Sequence, residues 1–316
     1  MLELRHISKV YTIGAFGGQE LHAVNDVSFD IKEGEVVSLI GESGSGKSTI
    51  GKMILRLIPI TFGQIIVDGV DISTLKGGLK EYYRKVQGVF QDPFSSYNPI
   101  FKADRVFSII REEFFPGVNG QAWRNKLNGS LEAVGLNPEI VLNKFPHQLS
   151  GGQLQRLLIA RALLLDIKFL VADEIISMLD ASTRIDVLNL LADLKTRGLS
   201  ILFITHDLSL GYYISEKSVI LYRGCVAEAG STEKIYAQPL HPYTQMLMAA
   251  VPRLDKKWEE VEGELKAKPV ETGGGCVYYA RCPLADKALG CDKQRPPLLE
   301  VEPDHAVACF RYNLQN

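Results

Sequence analysis

Gly41-Glu42-Ser43-Gly44-Ser45-Gly46-Lys47-Ser48, with Thr49 next, is the stretch on which the fold turns. It matches the phosphate-loop (Walker A) pattern in full. Gly41, Gly44 and Gly46 let the backbone amides of the loop, Ser43 and Ser45 included, turn inward onto phosphate oxygens. A helix starting near Lys47 aims its positive dipole end at the same anion. Lys47 is expected to reach the β and γ phosphates of ATP, and Ser48 to ligate Mg²⁺.

The flanks supply the setting that such a loop requires. Upstream, Glu35 to Ile40 is a short apolar run suited to a strand buried on both faces. Downstream, Ile50, Met53, Ile54 and Leu57 recur at helical spacing. Strand, loop and helix in that order make a chance Gly/Ser-rich loop a poor alternative. Further upstream, Leu2, Leu4 and Ile7 read as a strand leading into a turn at 14–18. Val24, Val27, Phe29 and Ile31 alternate with polar residues before a turn at Glu33-Gly34.

The strand signal returns at Phe169-Leu170-Val171-Ala172 and at Ser200 to Thr205, with a helix at Ile185 to Leu194 ended by Gly198. Asp92 to Leu165 reads as mostly helical. The expected fold is an α/β P-loop NTPase core with a mostly parallel sheet and a helical insertion at about 92–165. Past Ala237 Pro, Gly and Cys become frequent, and four of the five cysteines follow residue 275. The chain is therefore divided into an ATPase domain, 1–235, and a small Cys-rich C-terminal extension, 236–316.

Composition narrows the function classes. The 316 residues are 46% hydrophobic and 23% charged, ordinary for a globular protein. The formal net charge of −2, from 35 basic and 37 acidic residues, argues against a nucleic-acid-coating protein. The most apolar stretch, Leu157 to Leu179, is interrupted by Arg161, Asp166, Lys168, Asp173 and Glu174, too often for a bilayer span. The N-terminus shows no apolar run of signal-peptide type. A cytosolic chain is expected, with any membrane role exercised through a partner.

Two further motifs carry chemistry. Phe169-Leu170-Val171-Ala172-Asp173-Glu174 is an apolar strand ending in two carboxylates. Asp173 suits a Mg²⁺ site, and Glu174, pointing differently, suits polarisation of an attacking water. Alone, an acidic pair after a strand is usually just the start of a loop. Leu149-Ser150-Gly151-Gly152-Gln153 opens a helix, with Ser150 as N-cap and glycines exposing amides at its start, a second helix terminus able to face an anion. Without context, a simple capped helix would explain it.

Together these motifs resemble the ATP-binding subunits of ABC transporters, over roughly residues 1–235. Leu149 to Gln153 reads as that family's signature, between Walker A and Walker B. The resemblance implies that Tyr11 stacks on adenine, that Gln91 touches Mg²⁺ and senses the membrane partner, and that Asp180, in Ser177-Met178-Leu179-Asp180, crosses a dimer interface. It implies that His206 contacts the γ-phosphate. It further implies a homo- or heterodimer with a second ATPase subunit, transmembrane permease subunits, a solute-binding protein reached through them, and a place at the cytoplasmic face of the membrane. The chain departs from the family at Ile175-Ile176, where a proline and a threonine are usual, which puts the loop's geometry in question.

Cys276, Cys282, Cys291 and Cys309 are separated by five, eight and seventeen residues. A disulfide framework is not expected of a cytosolic enzyme. Four thiolates can hold Zn²⁺ or an iron–sulfur cluster, though no Cys-x-x-Cys pair is present. Gln238-Pro239-Leu240-His241-Pro242-Tyr243-Thr244 resembles the C-terminal region of oligopeptide and dipeptide importer ATPases, which implies a [4Fe–4S] cluster. Zn²⁺, with His305 replacing one thiolate, and unliganded thiols are the alternatives. Cys225 reads as a buried thiol. The expected function is ATP hydrolysis driving import of peptides or related solutes such as oligosaccharides. The competing readings are a non-transport ABC ATPase acting on DNA or ribosomes, and a redox protein.

Overall fold

The computed structural model describes residues 1–14, 18–75, 78–250 and 274–315. Residues 15–17 of the expected first turn, and 251–273 and 316 of the expected C-terminal extension, lie outside the described residues. In chain order the elements begin with β1 (Leu2–Ile13), β2 (Gln19–Ile31), β3 (Val36–Ile40), α1 (Lys47–Ile54), β4 (Phe62–Val67) and β5 (Val70–Asp71). There follow α2 (Leu79–Lys85), β6 (Val86–Val89), α3 (Arg105–Phe114), α4 (Gly120–Ala133), α5 (Pro138–Val141) and α6 (Gly151–Leu163). Next come β7 (Phe169–Asp173), α7 (Ala181–Thr196), β8 (Ser200–Thr205), α8 (Leu208–Ile214), β9 (Lys217–Tyr222) and β10 (Cys225–Ser231). The chain closes with α9 (Thr232–Ala237), α10 (Pro242–Ala249), β11 (Leu299–Glu302) and β12 (His305–Val307).

The described residues form two compact units. One takes Met1, Lys32–Glu35 and Asp71–Phe203; the other takes Leu2–Ile31, Val36–Val70 and Ile204–Asn316. In the first, β6 and β7 run parallel with Val86 opposite Phe169. Every residue of β7 is buried, as its unbroken apolar run requires. Helices α3 to α6 fill the stretch read as a helical insertion. The helix expected at Ile185 to Leu194 is longer, spanning α7, with Val187, Leu188, Leu191 and Leu194 buried and Gly198 beyond its end at φ 93°.

In the second unit, β1 pairs antiparallel with β2 and β4, Leu2 lying opposite both Ile31 and Val67. A row of strands runs β11-β12-β10-β9-β3. Only β3 and β9 in this row are parallel, with Ile40 opposite Ile220. The sheet is thus mixed rather than mostly parallel. The reason is local: Arg223 (φ 44°) and Gly224 (φ 79°) form a two-residue hairpin, so the chain leaves β9 and returns beside it as antiparallel β10.

Helix α1 is shorter than the spacing of its apolar residues suggests. Arg56 takes a left-handed φ of 54°, and the Leu57 N–H donates back to the Lys52 carbonyl (2.9 Å). That closure ends the helix and leaves Leu57 exposed.

The described C-terminal residues do not separate as a Cys-rich domain of their own. They belong to the unit that carries the phosphate loop, and β12 pairs with β10. Glu228 of β10, fully buried, ties them down. Its carboxylate accepts from the Leu240 N–H (2.9 Å), the His241 N–H (2.9 Å) and His305 Nε2 (2.7 Å). A carboxylate buried this deeply is tolerated only when its oxygens are satisfied in this way.

Candidate nucleotide site and cysteine pocket

In the second unit the sequence of the phosphate loop dictates its shape. Gly46 has φ 102°, and a Cβ there would stand 2.4 Å from the Ala23 carbonyl oxygen. A Cβ at Gly41 would stand 2.1 Å from the Leu221 carbonyl oxygen. Both positions therefore require glycine. Lys47 is 4% exposed, and its ammonium donates to the carbonyls of Gly41 (2.7 Å) and Glu42 (2.9 Å), curling the loop about itself. The Gly224 N–H donates to the Ser45 carbonyl (2.9 Å) from the β9–β10 hairpin. Buried Ser45 Oγ has no hydrogen-bond partner among the described residues, an orphaned polar atom inside the cradle. Ser43 and Gly44 are exposed at the tip, and Ser48 and Thr49 are half-buried in the first turn of α1.

Tyr11 is half-buried on β1, with the Lys9 ammonium 5.0 Å from its ring centroid. His206 is exposed directly after β8. Asp207 then caps α8 by accepting from the Ser209 N–H (2.8 Å).

In the first unit β6 and β7 end together, Val89 opposite Ala172, so Gln91 and the Asp173-Glu174 pair leave the sheet at the same edge. Asp173 is buried and Gln91 exposed. Helix α6 holds the approach to Gln91. Arg161 donates to the Gly88 carbonyl (2.7 Å) and Gln155 to the Phe90 carbonyl (3.4 Å). Glu174 takes a left-handed φ of 50°, uncommon for a side chain of this size and a mark of a backbone held by its surroundings. The Ser177 hydroxyl and N–H both donate to the Glu174 carbonyl (2.8 and 3.1 Å), and Arg184 donates to the carbonyls of Leu179 (2.8 Å) and Ser177 (3.2 Å). Ile175 and Ile176, the departure from the family pattern, are buried. The turn is thus closed by Ser177 and Arg184 over an apolar anchor.

Ser150 caps α6 in a reciprocal box. Its Oγ accepts from the Gln153 N–H (3.2 Å), and Gln153 Oε1 accepts from the Ser150 N–H (2.9 Å). Gly151 and Gly152 form the first turn, facing Leu179 and Thr183 respectively. The structure therefore brings the signature and the Asp180 loop together within one unit. Asp180 caps α7. The Ser182 hydroxyl (2.6 Å), the Thr183 N–H (3.0 Å) and the Thr183 hydroxyl (2.8 Å) hold its carboxyl well below the usual carboxylate range.

Cys276, Cys282, Cys291 and Cys309 all line one small cavity, about 20 Å³, and are free thiols. No Asp or Glu lines it, and Arg311 does. The Cys276 N–H donates to the Cys291 carbonyl (2.9 Å), which draws two of them together. Burial pushes the Cys276 thiol up to about 11, and also raises Cys282 and Cys309. The donor set suits a group held by thiolates. The enclosed space is that of one water, too small as it stands for a cluster. Among the described residues no group of three or more His, Cys, Asp or Glu side chains could hold a metal ion as placed, and neither a zinc site nor an iron–sulfur site is established here. His305 does not join the cysteines. It is buried between Glu228 and Glu302 (3.1 Å), which corrects its reading as a zinc ligand. Cys225 is a buried thiol on β10, raised by burial.

Sequence reasoning missed two residues that touch the phosphate loop. The Glu42 N–H donates to the Tyr243 hydroxyl (2.9 Å), and Arg281 donates to both Glu42 carboxylate oxygens (3.1 and 3.0 Å). Tyr243 lay inside a motif already noticed; nothing local marks Arg281.

No helix among the described residues is long and apolar enough to cross a membrane. A family model for ABC transporters matches residues 24–177, and one for the C-terminal region of oligopeptide/dipeptide transporters matches residues 227–291. The oligopeptide transport ATP-binding protein AppF of Bacillus subtilis is 41% identical over 328 residues, covering 99% of this chain and 98% of AppF. The oligopeptide transport ATP-binding protein OppF of Salmonella typhimurium is 38% identical over 299 residues, covering 92% of this chain and 88% of OppF. Among solved structures, the dimeric post-hydrolysis state of the ATP-binding cassette MJ0796 bound to ADP and Pi aligns with a TM-score of 0.66 at 30% identity. It covers 73% of this chain and 99% of that chain.

Proposed function

This chain belongs to the ATP-binding subunits of ABC transporters, of the oligopeptide/dipeptide importer type, and we propose that it hydrolyses ATP to energise the uptake of peptides. The observation that carries the reading is the phosphate loop closed around Lys47, with the Ser45 hydroxyl buried in it and left for a ligand. Oligosaccharides and related solutes remain within the reading, since the ATPase does not itself bind the solute. The match at residues 227–291 favours transport over a non-transport ATPase acting on DNA or ribosomes.

Residue roles follow from the resemblance and the local chemistry. Gly41 to Thr49 bind the triphosphate, with Lys47 neutralising it, and Tyr11 stacks on adenine. Mg²⁺ would be held by Ser48, Gln91 and Asp173, hard oxygen donors, and would neutralise charge on the transferred phosphoryl group. Glu174 orients and deprotonates the attacking water. His206 donates to the γ-phosphate. Ser150, Gly151, Gly152, Gln153 and Asp180 act on nucleotide bound by a second ATPase subunit. The working assembly adds permease subunits, placing this chain peripherally at the cytoplasmic face, with a solute-binding protein on the far side.

For the cysteine pocket, a [4Fe–4S] cluster is the reading that the resemblance of the C-terminal region implies; four thiols lining one cavity without carboxylates are compatible with it, though as placed they form no metal-holding group. A cluster spreads its four thiolates over separate corners. Zinc, the alternative, draws them to about 2.3 Å of one point.

The test is hydrolysis by the assembled importer in proteoliposomes. Peptide-loaded binding protein is expected to stimulate ATP turnover. Stimulation by DNA or ribosomes, with no response to peptide, would assign the chain to the other class.

A further inference from the structure

Glu42 occupies a position that the phosphate-loop pattern leaves unspecified, yet it is gripped twice by the C-terminal part of the chain. Tyr243, at the start of α10, accepts its N–H, and Arg281 Nη1 donates to both oxygens of its carboxylate from 239 residues away. The Arg281 side chain is 13% exposed and that of Glu42 37%. Arg281 is itself held by its surroundings. It reaches the Tyr222 hydroxyl (3.4 Å) and Met246 Sδ (3.5 Å), and it borders a cluster of Tyr222, Tyr243 and Tyr278, whose ring centroids lie 4.6 to 5.5 Å apart. It also ends the short 3₁₀ turn Tyr279–Arg281, directly before Cys282 and within the segment bounded by Cys276 and Cys282.

Two consequences follow for an anion in the loop. The backbone on both sides of Glu42 is pinned, its N–H donating to the Tyr243 hydroxyl and its carbonyl accepting from Lys47, which pre-shapes the first turn of the cradle. The Glu42 carboxylate, a negative charge within the loop that takes a triphosphate, is paired with the Arg281 guanidinium, whose Nη1 sits within hydrogen-bond distance of both its oxygens. Without Arg281 that charge would oppose the phosphates.

We propose that Arg281 is a positioning residue for nucleotide binding, and that the cysteine-bearing segment which carries it sets the shape and charge of the phosphate loop. The proposal rests on the reading of this loop as an ATP site. It couples the cysteine pocket to ATP affinity without assigning any electron transfer to it.

The experiment measures binding of a fluorescent ATP analogue with Mg²⁺ to the full chain, together with KM and kcat for ATP. Arg281→Ala is expected to raise Kd and KM about three- to tenfold with kcat changed by less than about twofold. Arg281→Lys is expected to recover most of the affinity, and Glu42→Gln in the Arg281→Ala background is expected to restore part of it by removing the exposed charge. Cys282→Ser is expected to raise Kd in the wild-type background and to add nothing in the Arg281→Ala background. An unchanged Kd in Arg281→Ala against a binding wild type overturns the proposal, as does a fall in kcat with KM unmoved. If Arg281→Ala does not fold, as judged by circular dichroism, Tyr243→Phe decides, because it deletes only the hydroxyl that accepts the Glu42 N–H; an unchanged Kd there overturns the pinning of the loop. A wild type that binds no nucleotide overturns the ATPase reading, and this one with it.

Discussion

A Cβ on Gly152 would stand 2.6 Å from Thr183 Cγ2, so the first turn of the signature helix and the first turn of α7 touch at a point where only a hydrogen fits. Thr183 cannot easily give way. It is branched at Cβ, and its hydroxyl and N–H are both committed to Asp180. The two segments that the family resemblance assigns to the dimer interface are therefore set against each other within one chain.

Gly152→Ala is expected to destabilise the protein by about 1–3 kcal/mol, the usual cost of forcing a methyl into a packed contact. Thr183→Ser removes the obstructing methyl and keeps the hydroxyl, so the double variant should recover most of the loss. Thermal melts of the two single variants and the double variant would show it. Equal destabilisation of Gly152→Ala with and without Thr183→Ser would remove this contact as the cause.

Glu174→Gln is expected to leave ATP affinity near wild type while lowering kcat by about 10²- to 10⁴-fold, because the amide keeps the shape and loses the base. The left-handed backbone of Glu174 and the Ser177 bonds to its carbonyl do not depend on the carboxylate, so the loop should stay in place. Steady-state hydrolysis, and size-exclusion chromatography with Mg-ATP to detect a trapped dimer, are the measurements. Turnover within a few-fold of wild type would take the role of base away from Glu174.

Purified without oxygen, the chain is expected to be brown and to carry about four iron and four sulfide, as ligation of one cluster by four cysteines requires. Cys291→Ser should bleach it. Metal analysis and visible absorbance settle the matter. Stoichiometric zinc without iron would favour the alternative, and neither metal in a fully reduced preparation would leave four plain thiols.

Acid should loosen the start of α10. His241 Nδ1 accepts from the Tyr243 N–H (3.0 Å), which requires a ring free of a proton at that nitrogen, and burial lowers His241 to about 4. The folded value lies below the ordinary 6.5. The unfolded chain therefore takes up the proton first, and the stabilisation present above pH 6.5 is lost as pH falls toward about 4. His241→Asn, which caps without titrating, should flatten the dependence of Tm on pH across that window. A slope identical to wild type would show that other groups govern it.

Much of the local geometry of the candidate nucleotide site was legible because it is local in the chain. The glycines at 41 and 46, the lysine that follows them and the strand before them are consecutive. The reciprocal cap of Ser150 and Gln153 spans three residues, and the β7 carboxylates simply end an apolar run. Less legible was the direction of the strands beyond β9, since a two-residue turn at Arg223-Gly224 reverses the chain where a crossover helix would have kept the sheet parallel. The cysteines were visible as a set, but their spacing says nothing about whether four thiols share one cavity.

The sequence by itself determined the loop and its helix, because backbone amides, a glycine's freedom and a lysine's reach act over a few residues. Only the tertiary structure decided that Gly152 must be bare of a side chain, that Ile175 and Ile176 anchor a turn closed by Ser177 and Arg184, and that Glu42 is neutralised by Arg281. The first and the last depend on contacts between segments distant in the chain, and the second on the burial of Ile175 and Ile176, where side-chain volume and charge are satisfied by partners that no local pattern names.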